Sequence, residues 1–317
     1  MQAKMAGSSR LAHALYRLYF RFWVPTLVWA ATRWPRALMY WMARNLVMLP
    51  FNLLRGKYLK AVKGNYARIL GLPATDRRVR RAAWHMGYEH AYHWIDFFRW
   101  SQLPIEHLLE QVEIEGEEHF RAARASGRGT LLITAHMGNP EVGATGLGRH
   151  VEPIHVLYWR DRFATAEEFR TRMRLRGNVH GIAVDASPLS VIPALRVLQE
   201  NGILAAHGDR DFNDQGWPCE FFGAVTTFPP GPFLLAVRGD ALIVPTYFLV
   251  RPDRGYRAIY EEPIETRGAG APEARALSAM TTWLARLEVR IRAHPEQWYC
   301  FYPFWPAPAA RTSSVER

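Results

Sequence analysis

From Pro104 onward, short apolar runs alternate with stretches of helical periodicity, and that alternation restricts the fold more than any other feature of the chain. The runs 130–135, 154–158, 182–184, 203–206, 242–250 and 256–260 have the length and β-branched or aromatic content of strands. Between them, 117–125, 140–147, 166–176, 188–200, 231–239 and 271–294 carry helical patterns. Strand then helix, repeated, predicts an α/β fold with a mostly parallel central sheet flanked by helices. Such sheets bind ligands outside the carboxyl ends of their strands.

The half before Pro104 reads differently. Asp76 is placed to cap a helix running through Arg80, Trp84, Tyr88, Tyr92 and Ile95, and Gly71-Leu72-Pro73 separates that helix from what precedes it. Of 40 Lys and Arg and 29 Asp and Glu in the 317 residues, 17 basic but only 3 acidic residues fall in 1–105, so this segment carries +14 and the remainder −3. The arginines are interleaved with Trp, Tyr, Phe and Leu, as in Tyr16-Arg17-Leu18-Tyr19-Phe20-Arg21-Phe22-Trp23. That pattern suits an anionic membrane surface better than a nucleic acid, so no nucleic-acid partner is expected. The longest uncharged stretches, 22–32 and 45–54, are too short for the roughly 18–20 residues of a spanning helix. The competing reading is that these helices only pack over the main domain. Cys219 and Cys300 fit no metal or redox spacing. The expected organisation is a basic, helical, membrane-associating region at 1–105, an α/β domain at 106–308 and a polar tail at 309–317.

The chemistry concentrates where strand 130–135 meets His136-Met137-Gly138-Asn139-Pro140-Glu141. Asn139 is a favoured N-cap and Pro140 a favoured first helical residue, which places Glu141 in the first turn, where the helix dipole stabilises a carboxylate. One tight turn is expected to bring Glu141 onto a ring N–H of His136, leaving the other nitrogen to accept a proton. The chain has no Gly-x-Ser-x-Gly elbow, and neither cysteine has a neighbouring histidine. A base without its own nucleophile suits direct transfer, in which an acceptor hydroxyl or amine is deprotonated and attacks an activated acyl donor such as a thioester.

On these residues the chain resembles the bacterial lipid A biosynthesis (lauroyl/myristoyl) acyltransferases of the glycerolipid acyltransferase superfamily. Besides His136 with Glu141, the resemblance runs through Tyr158-Trp159-Arg160, Arg174-Leu175-Arg176-Gly177-Asn178, Gly208-Asp209-Arg210-Asp211, Phe221-Phe222-Gly223 and Pro295-Glu296-Gln297-Trp298, in order over roughly 110–300. It implies that Arg176 and Asp209 are further active-site positions, with Arg160 and Arg210 near donor or acceptor. Members acting on lipid A end with Trp, His and paired arginines; here the stretch reads Trp298-Tyr299-Cys300-Phe301-Tyr302, without the basic pair, which argues against a strongly phosphorylated disaccharide acceptor.

The expectation is therefore a membrane-associated acyltransferase at the cytoplasmic face of the inner membrane. It would move a fatty acyl group from an acyl-carrier-protein or coenzyme A thioester to a lipid-like acceptor, without metal or other cofactor. His136 is the expected base, Glu141 its orienter, and the backbone N–H at Gly138 with a nearby Arg the stabiliser of the oxyanion. The alternatives are an inactive membrane-surface lipid-binding protein and a lipid or thioester hydrolase. Two weaker patterns are set aside: Asp209, Asp211, Asn213 and Glu220 lack the glycine of a calcium loop, and His85, Glu89 and His93 lack a further zinc ligand.

Overall fold

The computed structural model describes residues 19–54, 56–159, 164–185 and 187–305. Nine strands are found among them: β1 (Val112–Glu115), β2 (Thr130–Thr134), β3 (Ile154–Trp159), β4 (Val179–Val184), β5 (Ile203–His207), β6 (Trp217–Phe221), β7 (Ala224–Phe228), β8 (Leu242–Val250) and β9 (Tyr256–Tyr260). Seven form one sheet in the order β1-β9-β8-β2-β5-β3-β4. The five strands from β8 to β4 are parallel, while β9 runs antiparallel to β8 and carries β1 on the edge. The expected mostly parallel α/β sheet is what the chain forms.

Every residue of β2 is buried, as a central parallel strand covered on both faces requires. Its side chains alternate between two cores. Leu131 and Ile133 pack with Leu204, Ala206 and Ile243 on one face, and Leu132 packs with Val156, Val244 and Phe248 on the other.

Two pieces differ from the sequence reading. The edge strand β1, Val-Glu-Ile-Glu, is too short and polar to stand out. Strands β6 and β7 form a separate hairpin through Phe222 and Gly223, both at positive φ, and a phenylalanine in that position carries no turn signal.

Among the described residues the helices are α1 (Val24–Arg33), α2 (Arg36–Met42), α3 (Leu49–Leu54), α4 (Gly56–Leu70), α5 (Arg77–Trp100), α6 (Ile105–Leu109), α7 (Glu117–Ala125), α8 (Pro140–His150), α9 (Ala164–Arg176), α10 (Ile192–Gln199), α11 (Gly231–Arg238) and α12 (Pro272–Ala293). The Asp76 cap is present, its carboxylate accepting from the Arg78 N–H at 2.8 Å. α5 buries Val79, Ala83 and Met86 in the main core, so it belongs to the body of the fold.

The arm before it packs Ala30, Ala31 and Met39 against Ile95 of α5 and is fixed by one buried ion pair. Arg36 of α2 makes a two-pronged pair with Asp96 of α5, at 3.0 and 2.7 Å, and the Tyr40 and Tyr256 hydroxyls complete the shell of that buried carboxylate. The outer face of the arm is wet. Trp23, Trp29, Trp34, Trp41, Leu53 and Leu54 all stand exposed, Leu54 by 83%. Among the described residues no helix is long and apolar enough to cross a membrane.

Candidate active site

The parallel pairing of β2 with β5 determines what meets His136. Thr134 lies opposite His207, so two residues further on His136 stands beside Asp209, and the Gly208 N–H donates to the Thr134 carbonyl at 2.9 Å. Asp209 is the carboxylate on the imidazole. Its Oδ1 lies 2.7 Å from His136 Nδ1, and its Oδ2 accepts from the His136 backbone N–H at 3.1 Å and from Trp298 Nε1 at 3.0 Å.

The expected Glu141–His136 hydrogen bond does not form. Arg174 of α9 takes both oxygens of Glu141 instead, one at 3.1 Å and the other at still closer range. Glu141 still acts on His136 through space, raising its proton affinity as a neighbouring negative charge. The helix start is as read from the sequence: the Asn139 side chain accepts from the Val142 N–H at 3.3 Å, with Glu141 in the first turn.

Charge states follow from these contacts. Burial opposes ionisation of Asp209, but His136, its hydrogen bond included, together with Arg210 and His207 holds the carboxyl well below the usual range. An ionised carboxylate only accepts, so Nδ1 is the protonated nitrogen and Nε2 carries the lone pair. Burial lowers the His136 pKa from its ordinary value; the Asp209 charge opposes that shift, and Arg210 reinforces it. The imidazole is therefore neutral near pH 7 and free to take a proton. For Glu141, burial works against the charge, yet the Arg174 ion pair holds its carboxyl at about 2. The His136 side chain keeps 26% of its surface open while that of Asp209 keeps 1%, so the imidazole faces the solvent and the aspartate supports it.

The last segment of the described chain braces this turn. The Gln297 carbonyl accepts from the Gly138 N–H at 2.9 Å, the Tyr299 N–H donates to the His136 carbonyl at 2.8 Å, and the Gln297 side chain closes on both backbone groups of Val250. Gly138 sits at φ +63°, and a Cβ there would come within 2.2 Å of the Phe248 carbonyl. Its N–H is spent on Gln297, so Gly138 does not supply the expected oxyanion donor. Asp209 is likewise sealed beneath His136 rather than placed against substrate.

Arg176 is exposed and bonds Gln102, whereas its neighbour Arg174 is the arginine inside the site. Arg210 is half-buried on the Tyr299 carbonyl, close enough to bias His136 by its charge. Arg160 lies outside the described residues. Glu89 pairs with Arg254, and the His93 ring faces the Gly138 carbonyl at 3.2 Å, so His85, Glu89 and His93 do not converge. Both cysteines are buried with raised pKa values, which leaves them poor nucleophiles. Arg174 and Trp298 are the residues the sequence reading missed; both lay inside quoted segments, but nothing local marks which face of α9 turns inward.

Near the dyad lies a narrow apolar cavity running between α8 and the sheet. Thr134, Glu141 and His207 line its polar end, and Leu132, Val156 and Phe248 lie along its apolar walls. Gly143 lines it as well; a Cβ there would meet the Phe248 side chain at 2.8 Å, so this glycine keeps helix and sheet close. His207, whose ring stacks on that of His136, joins the polar end of this apolar slot to the dyad.

The family model described as bacterial lipid A biosynthesis acyltransferase matches residues 8–306. The chain belongs to that family. This acyltransferase is also similar to curated relatives named phosphatidylinositol mannoside acyltransferase. The one from Mycolicibacterium smegmatis is 26% identical over 255 residues, covering 78% of this chain and 79% of the relative. That from Mycobacterium tuberculosis strain H37Rv is 28% identical over 258 residues, covering 78% and 77%.

Proposed function

We propose that this acyltransferase moves a fatty acyl group from an acyl-carrier-protein or coenzyme A thioester to a hydroxyl of a glycolipid at an anionic membrane surface, with His136 as general base. The observation that carries the reading is the His136–Asp209 hydrogen bond of 2.7 Å next to the polar end of an apolar cavity. In the reaction, Nε2 takes the acceptor's hydroxyl proton as that oxygen attacks the thioester carbonyl. The tetrahedral adduct then expels the thiolate, which takes the proton back from the imidazolium. Asp209 keeps the tautomer and the ring orientation and stabilises the imidazolium.

Glycolipid is favoured over a heavily phosphorylated disaccharide by two facts. The relatives are named for a mannosylated phosphatidylinositol. The stretch where a basic pair is absent is instead an aromatic packing segment, with Phe301 stacked on Tyr58 and with Phe304 and Trp305 buried. The exposed tryptophans and the charge of +14 over residues 1–105 support docking on anionic lipid. The test is to incubate the purified full chain with palmitoyl-CoA or palmitoylated carrier protein and phosphatidylinositol dimannoside in vesicles. Acylated glycolipid is expected; free palmitate without lipid product would make it a hydrolase, and no donor consumption a binding protein.

A further inference from the structure

The proposed transfer builds negative charge on the carbonyl oxygen of the thioester, and the N–H groups of residues 136–139, in the turn that carries the base, are already spent. His136 donates to Asp209 at 3.1 Å, Met137 to the Ala135 carbonyl at 2.6 Å, Gly138 to Gln297 at 2.9 Å and Asn139 to the Phe248 carbonyl at 2.7 Å. Pro140 has no N–H at all. An unbalanced oxyanion in a buried site would cost several kcal/mol of the barrier lowering, so residues beyond 136–140 have to supply the donors, a side chain beside the first-turn N–H of Glu141 among them.

Three side chains around His136 carry N–H groups that are not spent on Asp209. The Arg210 guanidinium is turned to the Tyr299 carbonyl. The His93 ring is turned to the Gly138 carbonyl, where its Nδ1–H donates, leaving only an acceptor on its other side. His207 differs from both. It ends β5, its ring stacks on His136 with centroids 4.2 Å apart, and it lines the polar end of the cavity with Thr134 and Glu141. No described group hydrogen-bonds its ring nitrogens, although the ring is largely enclosed. A chain lying in the cavity with its carbonyl within reach of His136 has that carbonyl beside His207.

Resting on the acyl-transfer reading, we propose that His207 is a catalytic residue, its neutral imidazole N–H hydrogen-bonding the thioester carbonyl oxygen and holding the oxyanion of the tetrahedral adduct. No proton is transferred: the N–H stays on His207 while His136 moves the hydroxyl proton to the leaving thiolate. Burial, with the nearby His136 adding to it, lowers the His207 pKa to about 3, so the ring is a neutral donor throughout the working range. A neutral donor suits this site, because a cation would compete with His136 for Asp209 and oppose formation of the imidazolium.

The test is steady-state kinetics with palmitoyl-CoA and phosphatidylinositol dimannoside for His207→Leu, His207→Asn and His207→Gln, with His136→Ala in parallel and thermal unfolding of each. Loss of one oxyanion donor predicts a kcat about 100-fold lower in His207→Leu. The KM for palmitoyl-CoA should stay within about threefold of wild type, since the bond matters chiefly in the transition state. One of the two amides should restore about tenfold of that loss, Asn marking Nδ1 or Gln marking Nε2 as the donor. A folded His207→Leu with kcat within about threefold of wild type would overturn the proposal, as would equal losses in all three variants accompanied by equal drops in unfolding temperature. A wild-type rate in His136→Ala would instead sink the base assignment on which it rests.

Discussion

His136 is held between opposing influences, and the balance makes its behaviour testable with pH. Burial and the Arg210 charge lower its pKa, while Asp209 and, more weakly, Glu141 raise it, and the first pair wins. A base must be unprotonated to act, so kcat/KM should be flat through neutrality and decline only below the ordinary histidine value of about 6.5. Asp209→Asn removes the largest raising influence, so its acid limb should move to lower pH, while loss of the tautomer lock cuts kcat by roughly 100- to 10,000-fold. A pH–rate series on both proteins checks the two effects; an acid limb that moves upward would contradict the assignment.

The same enclosed imidazoles bear on stability. His90 and His207 are pushed down to about 3, so the folded protein binds fewer protons than the unfolded chain. Their contribution is complete above the unfolded value of about 6.5 and is lost as pH falls from there toward the folded values. Urea titrations at about pH 7 and pH 5 should show wild type losing more stability than His90→Phe/His207→Leu. The His136–Asp209 pair was only half legible in the sequence. The partners are 73 positions apart, and the nearby Glu141 was the obvious carboxylate. The family resemblance pointed to Asp209, but only the β2–β5 register showed which side chain it would meet.

Among the elements, α8 was the most readable, because Asn139, Pro140 and Glu141 each obey a local rule for helix starts. Asn139 also donates from its amide to the His93 carbonyl at 3.1 Å, which ties the cap to α5. Asn139→Ala should therefore cost about 1–2 kcal/mol in urea unfolding, at the upper end for a cap. If stability were unchanged, the cap would not be holding the helix. The 295–299 brace was not readable as a brace, since its bonds run to backbone groups of distant segments and leave no pattern in residue type. Gln297→Ala leaves the buried Val250 N–H without its 2.9 Å partner. That should cost about 1–3 kcal/mol and loosen the His136 turn. The β6–β7 hairpin escaped because its turn uses Phe222 rather than an Asn-Gly pair.

At the scale of the whole molecule, the arm is held to the body through Arg36 and Asp96 while its aromatic face stays exposed. Removing residues 1–55 would strand Asp96 without its guanidinium, a loss of about 3–5 kcal/mol that would confound any binding assay. Membrane docking is better tested by replacing Trp23, Trp29, Trp34 and Trp41 with Gln, which should weaken sedimentation with anionic vesicles while leaving the unfolding temperature unchanged. Undiminished sedimentation would assign the attachment to other surfaces.

The central claim is that His136, oriented by Asp209, drives acyl transfer to lipid. The most direct measurement is the rate at which radiolabelled palmitate moves from palmitoyl-CoA to phosphatidylinositol dimannoside in vesicles, for wild type and His136→Ala. The account predicts labelled glycolipid from wild type and none above background from a His136→Ala protein that unfolds at the wild-type temperature. Transfer by that variant at the wild-type rate would contradict it.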